Sequence, residues 1–470
     1  MHKSFSTVIL DLSIGFTFLS VLAAYLSKLA FGDVSFDQML FHIQIGTVGT
    51  SFSDFKFLFS DPVSLALLTL ATLGGGSLLA LLRLKSPSDL GKRVLISSVL
   101  TLASLLTVGK WLAIDRFAYS LLAEDEFSAI YTEPSLNLLK TPSERRNLIL
   151  IYVESLERAF LDFEGENLIK SIDSLSGETV PGFSQAPGTG WSIAGMVASQ
   201  CGVPLVGRYG VNLSGNYNQK FLGNAICLGD ILAANGYDQT FLVGPDLKFA
   251  GMDKFYRTHQ FDHALGLEEL RAFIPHGEKY GGWGRGVNDD ALLDYARDRL
   301  DQLYQQDQPF NLTIITTDNH APEGKPSKNC NPSEKIEGLA GVIKCTSRFV
   351  SQFVIDATTH PNAKTTDIFI LGDHLFMATS QQIGRFKGER DIYFKVISQS
   401  ERRLRREHGM THFDVFPTIL DSLGLLADSN QQIALGFSLF GEHYSEEIHR
   451  RNMSPGILNP SLKYSALWTY

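Results

Sequence analysis

The amino-acid sequence predicts an α/β domain with a mainly parallel sheet, preceded by a membrane region of three helices. From Asn147 onward, short apolar runs alternate with helical segments and glycine-rich loops, which is typical of parallel strands buried on both faces. Before that point, three apolar runs each hold about 20 residues, enough to cross a bilayer. The predicted strands are 148–153, 240–243, 312–316 and 368–371, and the predicted helices are 229–235, 289–305, 345–358 and 413–426.

Composition sets the broad class of protein. The chain has 470 residues and is 44% apolar, which is enough for a sizeable core and for more than one domain. The formal net charge of −9 argues against a nucleic-acid partner.

The four cysteines indicate an oxidising compartment. Their spacing contains no Cys-x-x-Cys pair and no histidine at zinc-finger distance, which argues against a structural zinc site. Two disulfides, most simply Cys201 with Cys227 and Cys330 with Cys345, suit a protein outside the cytoplasm. Three connectivities are open to four cysteines, and four buried free thiols are the alternative.

The three apolar runs, residues 8–27, 63–82 and 94–114, are predicted to span a membrane. The first is read as a span because it is long for a signal peptide and lacks a small-x-small cleavage site. The loop after the second run carries Arg83, Lys85, Lys92 and Arg93 and is therefore predicted to be cytoplasmic. The loop between the first and second runs, which has a helix-like stretch over Phe36–Ile45, is then predicted to lie outside. The same holds for everything after residue 114.

The predicted organisation has four parts. A membrane domain covers 1–114, a polar connector with Pro134 and Pro142 covers 115–146, a catalytic α/β domain covers 147–450, and a tail covers 451–470.

Acidic and imidazole side chains follow directly after the predicted strands. Glu154 follows the first strand, His320 follows the third within Asp318-Asn319-His320, and the pair Asp373-His374 follows the fourth. Open α/β sheets bind ligands at the carboxyl ends of their strands, so these residues are expected to converge. Each alone has an ordinary explanation as a turn or helix-start residue.

The segment 188–204 supplies a candidate nucleophile. It begins as a glycine-rich loop and continues as a helix whose first turn carries Ser192. A hydroxyl at a helix N-terminus lies beside unpaired N–H groups and the positive end of the dipole, which suits an anionic substrate such as a phosphate. An ordinary serine cap is the alternative interpretation, and Thr189 is the competing hydroxyl.

Together, Glu154, Ser192, Asp373 and His374 offer three oxygens and one nitrogen to a single divalent cation. The oxygen-rich set suits Mn²⁺ or Mg²⁺, and the histidine also permits Zn²⁺. A cation on the Ser192 oxygen would favour its alkoxide and would polarise a phosphoryl oxygen.

Several segments resemble the bacterial phosphoglycerol transferase I family of the sulfatase-like, alkaline phosphatase superfamily, beside lipoteichoic acid synthases and lipid A phosphoethanolamine transferases. They are Asn-Leu-Ile-Leu-Ile-Tyr-Val-Glu-Ser-Leu-Glu at 147–157, Gly-Thr-Gly-Trp-Ser-Ile-Ala-Gly-Met-Val-Ala-Ser-Gln-Cys-Gly at 188–202, Gly-Asp-His at 372–374, and the stretches 411–418 and 436–439. The resemblance covers about 147–441 and implies a three-layer alkaline phosphatase-like domain.

The resemblance also implies site residues. It places metal ligands at Glu154, Ser192, Asp373 and His374, with Ser192 as nucleophile and Mn²⁺ as the expected ion. His320 matches a histidine that contacts the transferred phosphate or protonates the leaving group. Trp283 and Arg285 match a segment that grips glycerol phosphate, although a packed surface tryptophan is the alternative. Thr189 and His412 are further candidates for substrate contact.

The function implied is transfer of phosphoglycerol from a phosphatidylglycerol-like lipid to a periplasmic glucan or similar sugar through a covalent phospho-enzyme. The implied location is the bacterial inner membrane, multi-pass, with the catalytic domain in the periplasm. A phosphoethanolamine transferase or lipid phosphodiesterase is the first alternative, and a non-catalytic membrane scaffold on the same fold is the second.

Four features depart from the family pattern or stay open. Serine stands where these relatives usually carry threonine, and no Cys/Ser-x-Pro-x-Arg follows it, which argues against true sulfatase activity. No histidine closely follows His374 to complete a second metal site. The basic run Arg402, Arg403, Arg405 and Arg406 is predicted either to hold anionic headgroups or to form a solvated face.

Overall fold

A computed structural model describes residues 21–22, 24, 35–45, 90–135, 139–140, 142, 144–207, 220–275, 280–321, 323–378, 384–387, 390–398, 402–405, 409–442 and 445–468. The first predicted span, apart from three positions, and the whole of the second lie outside these residues, as do Arg83, Lys85 and Arg406. The predicted boundaries at 114, 146 and 450 stay predictions.

A seven-stranded sheet with the order β2-β7-β6-β1-β5-β3-β4 forms the middle of the catalytic region. The strands β1, β3, β4, β5 and β6 are parallel, whereas β7 runs antiparallel to β6 and β2 antiparallel to β7. The strands are β1 (Asn147–Val153), β2 (Glu178–Thr179), β3 (Asp238–Val243), β4 (His263–Leu265), β5 (Phe310–Ile315), β6 (Thr366–Gly372) and β7 (Phe394–Ile397), with a separate hairpin of β8 (Gln432–Ile433) and β9 (Gly436–Phe437). The four predicted strands are therefore confirmed within two residues at each end.

Helices cover both faces of the sheet and make a three-layer domain. Alternate residues of β1 separate the two cores: Leu148, Leu150 and Tyr152 face one core, and Ile149 and Ile151 face the other. The helices are α1 (Phe36–Ile45), α2 (Leu90–Trp111), α3 (Ile114–Leu122), α4 (Glu126–Ile130), α5 (Lys170–Asp173), α6 (Ser192–Cys201), α7 (Leu228–Ala234), α8 (Met252–Thr258), α9 (Leu267–Leu270), α10 (Asp289–Tyr304), α11 (Pro332–Ile336), α12 (Leu339–Thr359), α13 (Val415–Ser422), α14 (Glu446–Asn452) and α15 (Leu462–Ser465).

Two predicted helices differ from the structure in length. The helix predicted over 345–358 begins six residues earlier as α12, because the preceding Gly338 has a positive φ and starts a new helix. The helix predicted over 413–426 is shorter, since a 3₁₀ turn at His412–Asp414 precedes α13 and Gly424, with φ +72°, ends it.

The N-terminal helices and the chain end pack on the catalytic region. The stretch predicted as a helix over Phe36–Ile45 is confirmed as α1. The Trp468 indole N–H donates to the Pro204 carbonyl at 2.8 Å, and the side chain is buried. Among the described residues, no helix combines the length and apolar character that crossing a membrane requires.

Both predicted disulfides are confirmed. Cys201, the last residue of α6, is bonded to Cys227, directly before α7, and Cys330 is bonded to Cys345 of α12. The first of these bonds fixes the C-terminal end of the helix that carries Ser192.

Strand β7 carries a buried lysine that stabilises the end of α5. The Lys395 ammonium donates to the carbonyl oxygens of Ile172 (3.2 Å), Asp173 (2.7 Å) and Leu175 (2.6 Å), with the residue 2% exposed. Lys395→Met would remove this donor from all three carbonyls, of which the Ile172 carbonyl would keep the Leu175 amide at 3.1 Å. We expect it to lower the free energy of unfolding by about 3 kcal/mol, measured by urea denaturation.

Lys387→Met is the matched control for Lys395→Met. The Lys387 ammonium is 3.8 Å from Asp162 and 60% exposed, so its loss should change stability by less than about 0.5 kcal/mol. Equal destabilisation by the two substitutions would contradict the structural role of Lys395.

Candidate active site

The end of β1 brings a carboxylate and a turn to the carboxyl edge of the sheet. Glu154 follows the strand and is 2% exposed. Ser155 takes a left-handed conformation (φ 57°), which turns the chain sharply after the strand. Its amide donates to Asp373 Oδ1 at 2.7 Å, and its hydroxyl donates to Glu154 Oε1 at 2.8 Å. The turn therefore fixes both carboxylates.

The end of β6 adds Asp373 and His374. The His374 Nδ1–H donates to the Leu375 carbonyl at 2.7 Å, so the lone pair of the neutral ring lies on Nε2. That Nε2 atom is 3.4 Å from Glu154 Oε1 and 3.5 Å from Asp373 Oδ2. Asp373 Oδ2 is buried and has no hydrogen-bond partner within the described part of the chain. We call Glu154, Asp373 and His374 the strand-end cluster.

Helix α6 places the Ser192 hydroxyl against this cluster. Ser192 is the first residue of the helix, and its Oγ lies 3.4 Å from Glu154 Oε2 and 3.4 Å from His374 Nε2. Gly195 permits this position, because a Cβ there would lie 1.8 Å from the Asp373 carbonyl oxygen. The first turn of the helix thus packs directly on the backbone of a strand-end residue.

The pKa values within the cluster are strongly coupled. Burial raises the pKa of Asp373, and the charge of Glu154 adds to this, to about 7. Burial also opposes ionisation of Glu154, but the hydrogen bond and charge of His374 lower its pKa to about 2. Burial disfavours the imidazolium, yet Asp373 and Glu154 raise the pKa of His374 to about 9. The carboxylates therefore favour a positive charge between them.

These residues fit a divalent cation. Two carboxylates and an imidazole offer ligand atoms that all lie within 4.8 Å of one another, and the Ser192 hydroxyl adds a fourth donor. The buried Asp373 Oδ2 atom lacks a hydrogen bond among the described residues and lies where a metal ligand would be needed.

His320 lies beside the strand-end cluster on the loop after β5. Its Nδ1–H donates to the Ala321 carbonyl at 2.8 Å, which orients the ring. Burial lowers the pKa of His320, and the nearby Glu154 charge partly offsets this. Thr316 on the same loop accepts the Glu154 amide N–H at 3.2 Å, so the His320 loop and the cluster are directly joined.

A buried carboxylate at the start of α10 holds the His320 loop. Asp289, the first residue of α10, is fully buried and accepts the amide N–H groups of Thr317 (2.8 Å) and Asp318 (3.0 Å). The Asp289 amide in turn donates to Asp318 Oδ2 at 3.2 Å. Burial raises the pKa of Asp318 to about 7. In the sequence, an acid at this position is indistinguishable from an ordinary helix-start charge.

The segment predicted to bind glycerol phosphate lies next to this loop. Trp283–Arg285 forms a 3₁₀ turn, and a Cβ on the preceding Gly282 would lie 3.1 Å from Asp318 Oδ1. The Arg285 side chain is exposed and has no ion-pair partner among the described residues.

The other two predicted contact residues are buried. The Thr189 hydroxyl donates to the Ala186 carbonyl at 2.7 Å within its own loop and is fully buried. His412 is also fully buried, with its ring edge-on to Phe183 at 4.7 Å, and burial lowers its pKa to about 3. Neither side chain is exposed to solvent in this structure.

The described arginines of the basic run are ion-paired, as expected for the solvated face. Arg402 pairs with Asp421 at 2.8 Å, Arg403 lies 3.5 Å from Glu178, and Arg405 pairs with Glu442. These carboxylates neutralise much of the local positive charge.

Fold and site together define a class. A mainly parallel sheet, acids and an imidazole at its carboxyl edge, and a hydroxyl at a helix N-terminus form a metal-binding α/β domain with a candidate nucleophile. The chain belongs to the sulfatase family, whose family model matches residues 146–425.

Named relatives agree with this membership. Phosphoglycerol transferase I from Escherichia coli is 35% identical over 337 residues, which cover 69% of this chain and 42% of that protein. The chain thus spans less than half the length of the curated relatives it matches.

Two solved structures share the fold. The lipoteichoic acid synthase LtaP from Listeria monocytogenes has a TM-score of 0.50 and 18% identity, covering 63% of this chain and 75% of that chain. The integral membrane protein lipooligosaccharide phosphoethanolamine transferase A (EptA) from Neisseria meningitidis has a TM-score of 0.50 and 15% identity, covering 88% and 84%.

Proposed function

We propose that this chain transfers phosphoglycerol from a phosphatidylglycerol-like lipid to a sugar hydroxyl, such as that of a periplasmic glucan. The observation that carries the proposal is the position of Ser192 Oγ, 3.4 Å from both Glu154 Oε2 and His374 Nε2 at a helix N-terminus. The 35% identity to phosphoglycerol transferase I supports the choice of headgroup.

Glu154, Ser192, Asp373 and His374 would hold one divalent ion, for which we propose Mn²⁺, with Mg²⁺ or Zn²⁺ as the other candidates. When bound, this ion supplies Lewis acidity that favours the Ser192 alkoxide and neutralises phosphoryl charge. The mixed set of oxygen and nitrogen donors supports Mn²⁺, Mg²⁺ or Zn²⁺ as the bound ion.

The residues of the chain then divide the reaction between two steps. In the first, the Ser192 alkoxide bonds to phosphorus, the bond to the diacylglycerol oxygen breaks, and a proton on His320 passes to that oxygen. In the second, the neutral His320 ring takes the proton of the sugar hydroxyl, whose oxygen bonds to phosphorus as Ser192 leaves as alkoxide. The lowered pKa of His320 favours the neutral ring that acts as base in the second step and makes the protonated ring a stronger acid in the first. Arg285 would pair with the phosphate.

A lipid donor requires a membrane nearby, and α2 supports that part of the proposal. Its leucines Leu95, Leu102, Leu105 and Leu106 are each more than half exposed. Exposed leucines on one helix face mark a lipid or protein contact. We propose that α2, which overlaps the predicted third span, contacts bilayer lipid and that the catalytic domain lies outside the cytoplasm.

The test is a donor assay on the purified full chain in detergent with added Mn²⁺. We expect diacylglycerol to be released from phosphatidylglycerol and not from phosphatidylethanolamine, with the phosphoglycerol recovered on an added glucan. Release from phosphatidylethanolamine alone would instead support a phosphoethanolamine transferase. No release from either lipid with Mn²⁺, Mg²⁺ or Zn²⁺ would contradict the enzymatic proposal and favour a scaffold.

A further inference from the structure

Helix α1 packs on the residue that precedes the candidate nucleophile. Phe41 of α1 is fully buried, and its ring centroid lies 5.8 Å from that of Trp191 and 6.3 Å from that of Phe221. Trp191 directly precedes Ser192 and is 3% exposed. The contact therefore joins a helix far upstream in sequence to the start of α6.

Helix α1 packs closely against its neighbours. A Cβ on Gly207 would lie 2.4 Å from the Asp37 carbonyl oxygen, so the two backbones touch where glycine alone fits. His42 stacks on Phe249 with ring centroids 6.1 Å apart, and Phe36 packs edge-on against Phe117 of α3 at 5.0 Å. Helix α1 thus contacts the catalytic domain from Asp37 to His42 and also packs on α3 through Phe36.

Trp191 is held by packing and not by a side-chain hydrogen bond. Its indole Nε1 is buried and has no hydrogen-bond partner among the described residues. Its backbone is extended (φ −153°, ψ 160°), and its carbonyl accepts the first bond of α6, from the Gly195 amide at 2.9 Å. Trp191 therefore joins the packing around its indole to the first hydrogen bond of α6.

We propose that α1 positions the nucleophile: Phe41 packs against Trp191 and so keeps Ser192 Oγ within reach of Glu154 and His374. This inference rests on the proposed function of Ser192. Phe41 is a positioning residue, since it acts through Trp191 and touches none of the strand-end cluster. Because α1 lies between the first two predicted membrane runs, the contact between Phe41 and Trp191 links the geometry of the site to the membrane region.

The experiment compares Phe41→Ala with Phe36→Ala in the full chain in detergent. Phe36 is the matched control because it lies on the same helix but packs on α3. We expect Phe41→Ala to lower kcat for phosphatidylglycerol about 10- to 100-fold with KM within about twofold of wild type. We also expect faster amide hydrogen exchange across 186–201. Phe36→Ala should leave both measurements near wild type.

Phe41→Leu guards against a variant that fails to fold, because it keeps apolar volume and removes only the ring. It should restore most of kcat and of the exchange protection. Unchanged kcat and exchange in Phe41→Ala, or equal losses in Phe36→Ala, would overturn the positioning role. If wild type turns over no lipid, the proposed function fails, whereas faster exchange across 186–201 confined to Phe41→Ala would still support the contact.

Discussion

Ser192→Ala should lower the turnover of phosphatidylglycerol by at least about 10³-fold, the scale seen when a covalent nucleophile is removed. Alanine keeps the helix start of α6 but has no oxygen to attack phosphorus. The fold should persist, because the contacts of Ser192 Oγ with Glu154 and His374 are long, at 3.4 Å each. Diacylglycerol release and trapping of the phospho-enzyme measure the effect.

Thr189→Ala is the matched control for this prediction. The Thr189 hydroxyl donates to the Ala186 carbonyl, so its removal should cost about 1 kcal/mol of stability and leave kcat within about threefold of wild type. Loss of turnover in Thr189→Ala together with full activity in Ser192→Ala would move the nucleophile to Thr189.

The second large expected effect distinguishes the role of Glu154 from that of Glu157, three residues later. Glu154→Gln should abolish measurable Mn²⁺ binding and lower turnover by at least about 10²-fold, because an amide cannot replace a charged ligand. Its effect on the stability of the metal-free protein should be small, because loss of the attraction between Glu154 and His374 is offset by loss of the repulsion between Glu154 and Asp373. Titration calorimetry with Mn²⁺ and urea denaturation measure the two parts.

Glu157→Gln should show the opposite pattern. Glu157 is fully buried, accepts the Arg390 Nε–H at 2.9 Å and accepts the Phe376 amide at 3.0 Å. Weakening this buried pair should lower the free energy of unfolding by about 3 kcal/mol while Mn²⁺ binding persists. If both substitutions abolish Mn²⁺ binding to the same extent, the assignment of Glu154 as a ligand loses its support.

Much of the site could be predicted because parallel strands end at one edge of a sheet. The runs before Glu154, His320 and Asp373 are continuous and apolar, so their ends are visible in the sequence and their convergence follows from topology. The disulfides were predictable because each links cysteines that are neighbours among the four in sequence.

Other parts lacked a local signal. Strand β7 contains Lys395, which breaks the apolar pattern although the side chain is buried, so the antiparallel edge of the sheet was not predicted. The role of Asp289 depends on a contact with amides 28 and 29 residues away. The docking of α1 on Trp191 spans an even longer separation and depends on packing, which no periodicity reveals.

The contact between Gly195 and the Asp373 carbonyl has a consequence for how this site can diverge. The separation between the start of α6 and the end of β6 is set by two main chains in van der Waals contact, so it does not depend on the length of a side chain at that point. Core residues that touch neither this contact nor Trp191 can therefore change in size and shape without altering the reach of Ser192. The position least free to vary is one that has no side chain at all.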